Sequence, residues 1–161
     1  MIKTDSQVCG FSIRNLHHHG LILAQGPRGS WDEGAASLGC AFVDPDDPSK
    51  VLLFYSGASD IRWSHGAIGL AISNDGFNFR KINDNPIVDG SSDLFYAKEA
   101  VFPAVTKIRN KFYMIFTCRS SDTYPRLLGI AYAEDLKGPW NVIGKLKKPC
   151  YAWEGNNIDN G

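Results

Sequence analysis

The 161-residue sequence carries one long pattern twice, and an internal repeat confines a chain to folds assembled from like units. "LLFYSGASDIRWSHGAIGLAISNDGFNFRKI" begins at Leu52, and "YMIFTCRSSDTYPRLLGIAYAEDLKGPWNVI" begins at Tyr113. Phe54-Tyr55-Ser56-Gly57 lies 61 positions before Ile115-Phe116-Thr117-Cys118. Gly69, Ala71 and Asp75 return 60 positions later as Gly129, Ala131 and Asp135, and Phe79 and Trp140 stand 61 apart. Each copy reads as an apolar strand, a polar loop, a second strand ("IGLA" or "GIAY"), a turn holding an Asp, and an aromatic-led final strand.

The periodicity within the copies predicts strands. Aromatic residues make up 12% of the chain and glycines number sixteen, a mixture that favours short strands joined by tight turns. Strands are expected at Ala41–Val43, Val51–Ser56, Ala67–Ile72, Val101–Ile108, Lys111–Cys118 and Leu127–Ala133. Asp44-Pro45-Asp46-Asp47-Pro48, Asn74-Asp75-Gly76 and Arg109-Asn110-Lys111 supply turns. No segment of about a dozen residues shows an apolar stripe at helical spacing, so the chain reads as all-β.

A second element occurs three times. "GSWDEGAASLGCAFVD", "LFYAKEAVFPAVTK" and "YAWEGNNIDNG" each set an aromatic a few positions before an acid: Trp31 with Asp32 and Glu33, Phe95 or Tyr96 with Glu99, and Trp153 with Glu154 and Asp159. "LHHHGLILAQG", "FRKINDNPIVDG" and "WNVIGKLKKPCY" read as three outer strands leading into it. Four strands per unit of about 60 residues is the arithmetic of a β-propeller blade. The expected organisation is a single domain over 1–161: a leading outer strand (14–29), a first blade (30–90), a second (91–150) and the start of a third (151–161). Two to two and a half blades fall short of a closed ring, which usually takes four or more. The chain is therefore expected to be a fragment, one share of a homo-oligomeric ring, or an open two-blade sandwich, with a partner covering its edges.

Composition excludes several functions. Seventeen Lys+Arg balance seventeen Asp+Glu. No basic surplus is present to neutralise a nucleic-acid backbone. The longest apolar runs, such as Val51–Tyr55, are far short of the ~20 residues that span a bilayer. The first residues, Met1-Ile2-Lys3-Thr4-Asp5, are too polar for a secretory signal, so a cytoplasmic location without membrane or nucleic-acid partners is expected. Cys9, Cys40, Cys118 and Cys150 form no C-x-x-C pair and read as reduced, structural thiols.

"GSWDEGAA", "VLLFYSG" and "GAIGLAISNDGFNFRKI" closely resemble the blade signature of the arabinanase/levansucrase/invertase superfamily, over roughly Pro27 to Gly161. The resemblance implies part of a five-bladed propeller glycosidase, in which inner strands of successive blades each present an acid to a central funnel. Such chemistry needs two carboxyl groups flanking the glycosidic oxygen, about 5 to 10 Å apart, one ionised and one protonated. Matched motif by motif, the resemblance implies Asp32, Glu99 and Glu154 as the catalytic acids, with Asp159 the alternative to Glu154. Members of the superfamily usually carry Asp where this chain has Glu99. Asp32 and Glu33 are neighbours, and only one of them can share a strand face with the site.

Trp31, Trp63 and Trp153 suit stacking on the C–H face of a sugar or wedging of neighbouring blades. Trp63 lies in the polar loop "SDIRWSHG", where Arg62 and His65 flank it. Arg119 is a further candidate for contact with substrate or with an acid. His17-His18-His19 has no acid at metal-binding spacing, so no metal and no cofactor are expected. "GPRGSWDEG" lacks the Lys-Ser/Thr of a phosphate loop, and no Gly-x-Ser-x-Gly elbow occurs. The expected function is a glycoside hydrolase-like, carbohydrate-active protein that needs further blades or further copies for activity. The alternative is a carbohydrate-binding or protein-interaction module without catalysis.

Overall fold

The computed structural model describes residues 7–8, 11–12, 20–90 and 95–147. Two short strands, β1 (Gln7–Val8) and β2 (Phe11–Ser12), pair antiparallel. The remaining strands form two antiparallel meanders in chain order. The first blade is β3 (Ala35–Val43), β4 (Val51–Ala58), β5 (Gly66–Ser73) and β6 (Arg80–Lys81). The second is β7 (Glu99–Ile108), β8 (Lys111–Arg119), β9 (Leu127–Ala133) and β10 (Asn141–Lys147). One parallel pair, Gly66 with Glu99, joins the blades. β3 and β7 begin earlier than the apolar runs suggest, because Ala35–Ser37 and Glu99 pair through backbone groups that their side chains do not announce.

The chain is all-β and forms two blades of a propeller. Leu52, Phe54, Ile68, Leu70 and Ile72 of the first blade pack against Phe112, Met114, Phe116, Leu127 and Ala131 of the second. Trp140 meets Phe54 edge-on, with ring centroids 5.7 Å apart. Backbone groups also cross between the blades. The Phe102 N–H donates to Ser56 Oγ at 2.7 Å, and the Val105 N–H to Cys40 Sγ at 3.2 Å. Phe102 sits at φ 53° where the β7 ladder slips between Val101 and Ala104, a bulge that turns its N–H toward the first blade. Burial pushes the Cys118 thiol up to about 12, in keeping with a structural cysteine.

The recurring Asp of the repeat builds turns. Asp75 accepts the N–H groups of Phe77 and Asn78, bonds that hold its carboxyl well below the usual range, and Gly76 takes the left-handed conformation at φ 76°. Asp135 accepts the Lys137 N–H in the matching turn. At that end of the sheets Lys137 reaches across to the first blade, with Nζ 3.0 Å from Asp44 and 3.0 Å from Asp46.

The outer face of the first blade is covered by the chain before β3. Leu23, Leu53, Tyr55 and Ala71 form a second cluster flanked by Ile22, Trp31 and Phe79. Residues 20–29, expected to belong to a leading outer strand, form no regular strand, and Ile22 accepts a single backbone bond from Phe79. The rest of that expected strand, 14–19, and the expected third-blade start, 151–161, lie outside the described residues.

Candidate functional site

β3, β5, β7 and β9 all begin at one end of the sheets, where β4 and β8 end. Trp31, Asp32, Trp63, His65, Glu99 and Arg119 stand at that end. They form two groups, each built around a buried acid.

Asp32 is 1% exposed, in the turn that precedes β3. Its carboxylate accepts from Ser30 Oγ at 3.0 Å and from the Tyr55 hydroxyl at 2.9 Å, and pairs with Lys81 Nζ at 2.5 Å. Trp31 stacks on Tyr55 with centroids 5.7 Å apart, and Lys81 also lies over the Tyr55 ring. Burial first, then the Asp32 charge and hydrogen bond, hold the Tyr55 phenol well above its ordinary pKa. Gly57 leaves the space that Trp31 and Asp32 occupy, since a Cβ there would strike both. Glu33 turns away and accepts the Gly29 N–H at 2.5 Å, so the two neighbouring acids serve different partners.

Glu99 opens β7 and is 2% exposed. One of its oxygens meets Arg119 Nε, and the other meets Arg126 Nη2 at 3.0 Å. Asp122 extends the network to Arg119 and to Lys98. Trp63 adjoins this group: the open side of Gly66 is bordered by Glu99, Val101 and the Trp63 ring. Trp63 holds φ 56°, and Asp60 fixes its loop by accepting from the Arg62 and Ser64 N–H groups. Beside it, His65 Nε2 lies 2.6 Å from Asp89 Oδ1, with both side chains open to solvent.

The strand register corrects one sequence expectation. The first ladder pair is Ala35 with Ala58 in one blade and Glu99 with Arg119 in the other. Glu99 therefore occupies the place of Ala35, and the place of Asp32, three residues earlier, belongs to Tyr96. Tyr96 packs on Phe116 as Asp32 meets Tyr55. The recurrence of an aromatic followed by an acid is real, but it does not put Asp32 and Glu99 at matched positions. The two acids share no partner among the described residues.

Sequence reasoning missed Tyr55, Lys81 and Arg126. A signal for two of them was present in the repeat. Arg119 stands where the first copy has Ala58, Arg126 where it has Gly66, and Lys81 where the second copy has Val142. A cation at a place filled by a small or apolar residue in the other copy marks a local departure from the shared fold. Trp153, Glu154, Asp159 and His17-His18-His19 lie outside the described residues. Among the described residues no group of three or more His, Cys, Asp or Glu could hold a metal ion, and no helix is long and apolar enough to cross a membrane.

No family model and no curated protein matches the sequence. Solved structures do. A family 117 glycoside hydrolase of the marine bacterium Zobellia galactanivorans superposes with a TM-score of 0.64 at 15% identity, over 85% of this chain and 46% of that one. A glycosyl hydrolase of Bacteroides ovatus gives 0.57 at 18% identity, over 71% of this chain and 32% of that one. The GH32 β-fructofuranosidase of Bombyx mori gives 0.54 at 24% identity, over 68% and 22%. The chain thus spans less than half the length of each. At these identities the likeness establishes the fold alone, an all-β partial propeller.

Proposed function

We propose that a chain with this fold is the part of a carbohydrate-active, glycoside hydrolase-like protein whose sugar-facing end is the one where β3 and β7 begin. The observation that carries the reading is the Glu99–Arg119–Arg126 set beside Trp63. The first blade builds the same places with Ala35, Ala58 and Gly66, so the fold itself has no need of ions there. Buried ion pairs are costly to assemble and are weak evidence of a stability role, which favours a task for this set. In the hydrolytic reading Glu99 is one of the acids, with Asp32 and with Glu154 or Asp159. Trp31, Trp63, His65, Arg119 and Trp153 contact the sugar, and further blades or copies complete the funnel.

A second reading is sugar binding without hydrolysis. It is favoured by the burial of Asp32 and Glu99, each engaged at both oxygens, which leaves neither aimed at a glycosidic oxygen. The test takes the full chain, a panel of aryl glycosides and a panel of soluble oligosaccharides. Hydrolysis that falls about 100-fold or more in Glu99→Gln, with KM retained, supports the catalytic reading. Binding without turnover, weakened about tenfold by Trp63→Ala, supports the second. Absence of both turnover and binding overturns the sugar-facing assignment.

A further inference from the structure

The loops that join β4 to β5 and β8 to β9 are repeat partners at the same end of the sheets. Trp63 stands in the first and Tyr124, 61 positions later, in the second. Each aromatic closes the same turn with its backbone: the Trp63 N–H donates to the Asp60 carbonyl at 3.2 Å, and the Tyr124 N–H to the Ser121 carbonyl at 3.2 Å. The residues around them differ, with Asp60, Ile61, Arg62 and Ser64 of one loop replaced by Ser121, Asp122, Thr123 and Pro125 in the other. A turn bond made by backbone atoms requires no aromatic side chain. Packing does not require one either. Tyr124 is 57% exposed, and Trp63 is half-buried at φ 56°, a left-handed conformation that is costly for a bulky residue.

Lys98 draws the two loops toward one spot. Its carbonyl accepts from the Gly66 N–H at 3.1 Å, where the first loop ends, and its N–H donates to the Arg119 carbonyl at 3.1 Å, where the second begins. Asp122, two residues before Tyr124, reaches Lys98 at 3.2 Å and Arg119 at 3.6 Å. In the first loop, hydrogen bonds from Ser64 and Arg62 lower the Asp60 pKa, and the charge of Lys98 adds to them. Both aromatic loops therefore border the ion set built on Glu99.

We propose that Trp63 and Tyr124 are paired stacking platforms, one from each blade, and that the ligand they take is an oligosaccharide chain rather than a single sugar. The inference rests on the sugar-facing assignment above and names its substrate class. An aromatic face covers the C–H side of a sugar ring, while nearby polar groups take its hydroxyls. Lys98, Arg119 and Arg126 keep 20%, 20% and 33% of their side chains exposed there and carry N–H donors. The sheets beneath the loops pack face to face, and stacked sheets lie about 10 Å apart. Loops over matching places of the two are separated by a span that one sugar ring does not bridge. Only linked sugars touch both aromatics.

The test is calorimetric titration of the full chain with linear gluco-, xylo-, galacto- and arabino-oligosaccharides, each from monosaccharide to hexasaccharide. For chains that are turned over, KM is read in place of Kd. The expected result is an affinity that climbs about tenfold or more from the monosaccharide to the hexasaccharide of the recognised series. Tyr124→Ala removes most of that climb, whereas Tyr124→Phe keeps it because the ring face is retained, and circular dichroism is unchanged in both. Affinity independent of chain length overturns the proposal. So does a climb that Tyr124→Ala leaves intact or that Tyr124→Phe abolishes. In those cases binding that Trp63→Ala still weakens leaves the sugar-facing assignment standing. Absence of binding in every series overturns that assignment, and this proposal with it.

Discussion

The first and second blades share one pattern of strands, and each departs from it with its own buried ions. In the first, Asp32, Tyr55 and Lys81 meet where the second has Tyr96, Phe116 and Val142. In the second, Glu99, Arg119 and Arg126 meet where the first has Ala35, Ala58 and Gly66. Each set works as the control for the other: every position has a neutral version at the matching place of the other blade. The blades differ equally in burial. Every residue of β5 is buried, whereas β9 alternates between buried and half-buried. Matching strands are therefore buried on both faces in β5 and more completely on one face than the other in β9.

The largest expected effect tests the difference in burial. Leu70→Ala empties a site 2% exposed and should cost about 3 kcal/mol or more in urea denaturation. The matched change Ile130→Ala, on the half-buried face, should cost less than half as much. Equal costs would mean that the outer face of the second blade is as well covered as the interblade core.

A smaller effect tests what the blades share. Gly69 lies beneath the Tyr55 ring and Gly129 beneath the Phe116 ring, each across the strand pair from its aromatic. A methyl group at either place collides with a ring fixed in a core, so Gly69→Ala and Gly129→Ala should each cost about 1 to 3 kcal/mol. Costs differing widely would show that the two copies pack their glycines unequally.

The smallest effect is a dependence on alkaline pH. Tyr55 is held above its ordinary pKa by burial and by Asp32. Lys137 is raised by its hydrogen bonds to Asp44 and Asp46. For both groups the folded value exceeds the unfolded one. Their contribution is whole below the ordinary values of 10.0 and 10.5 and declines as pH rises beyond them. Melting temperature should therefore fall above pH ~10, less steeply in Tyr55→Phe, which gives the first blade the ring that Phe116 gives the second. The stability difference between the parent and Lys137→Ala should also shrink at high pH. A Tyr55→Phe profile parallel to that of the parent would remove Tyr55 as a cause.

The repeat made the fold legible because paired strands and their turns recur at fixed offsets: Leu52 and Tyr113 begin matching strands, and Asp75 and Asp135 organise matching turns. The candidate site was legible in part. Trp63, Glu99 and Arg119 do come together, but the order of residues along the chain cannot reveal that Arg126 reaches Glu99 or that Lys81 reaches Asp32 from the outer strand. Those meetings depend on strand register, and register is set by ladder hydrogen bonds to which Ala35, Ala58 and Glu99 contribute backbone groups rather than a distinctive side chain. The aromatic-then-acid motif misled for the same reason, since a shift of three positions along the chain exchanges Glu99 for Tyr96 in the turn before β7.

Among the described residues a single parallel pair, Gly66 with Glu99, carries the ladder from one meander to the next, while every other strand pairing joins strands adjacent in the chain. Such a molecule has short loops to close before each sheet exists, so its first meander can form during synthesis before the second has been made. The apolar face of that first meander is buried only when the second is laid against it, so the two sheets complete one another's core.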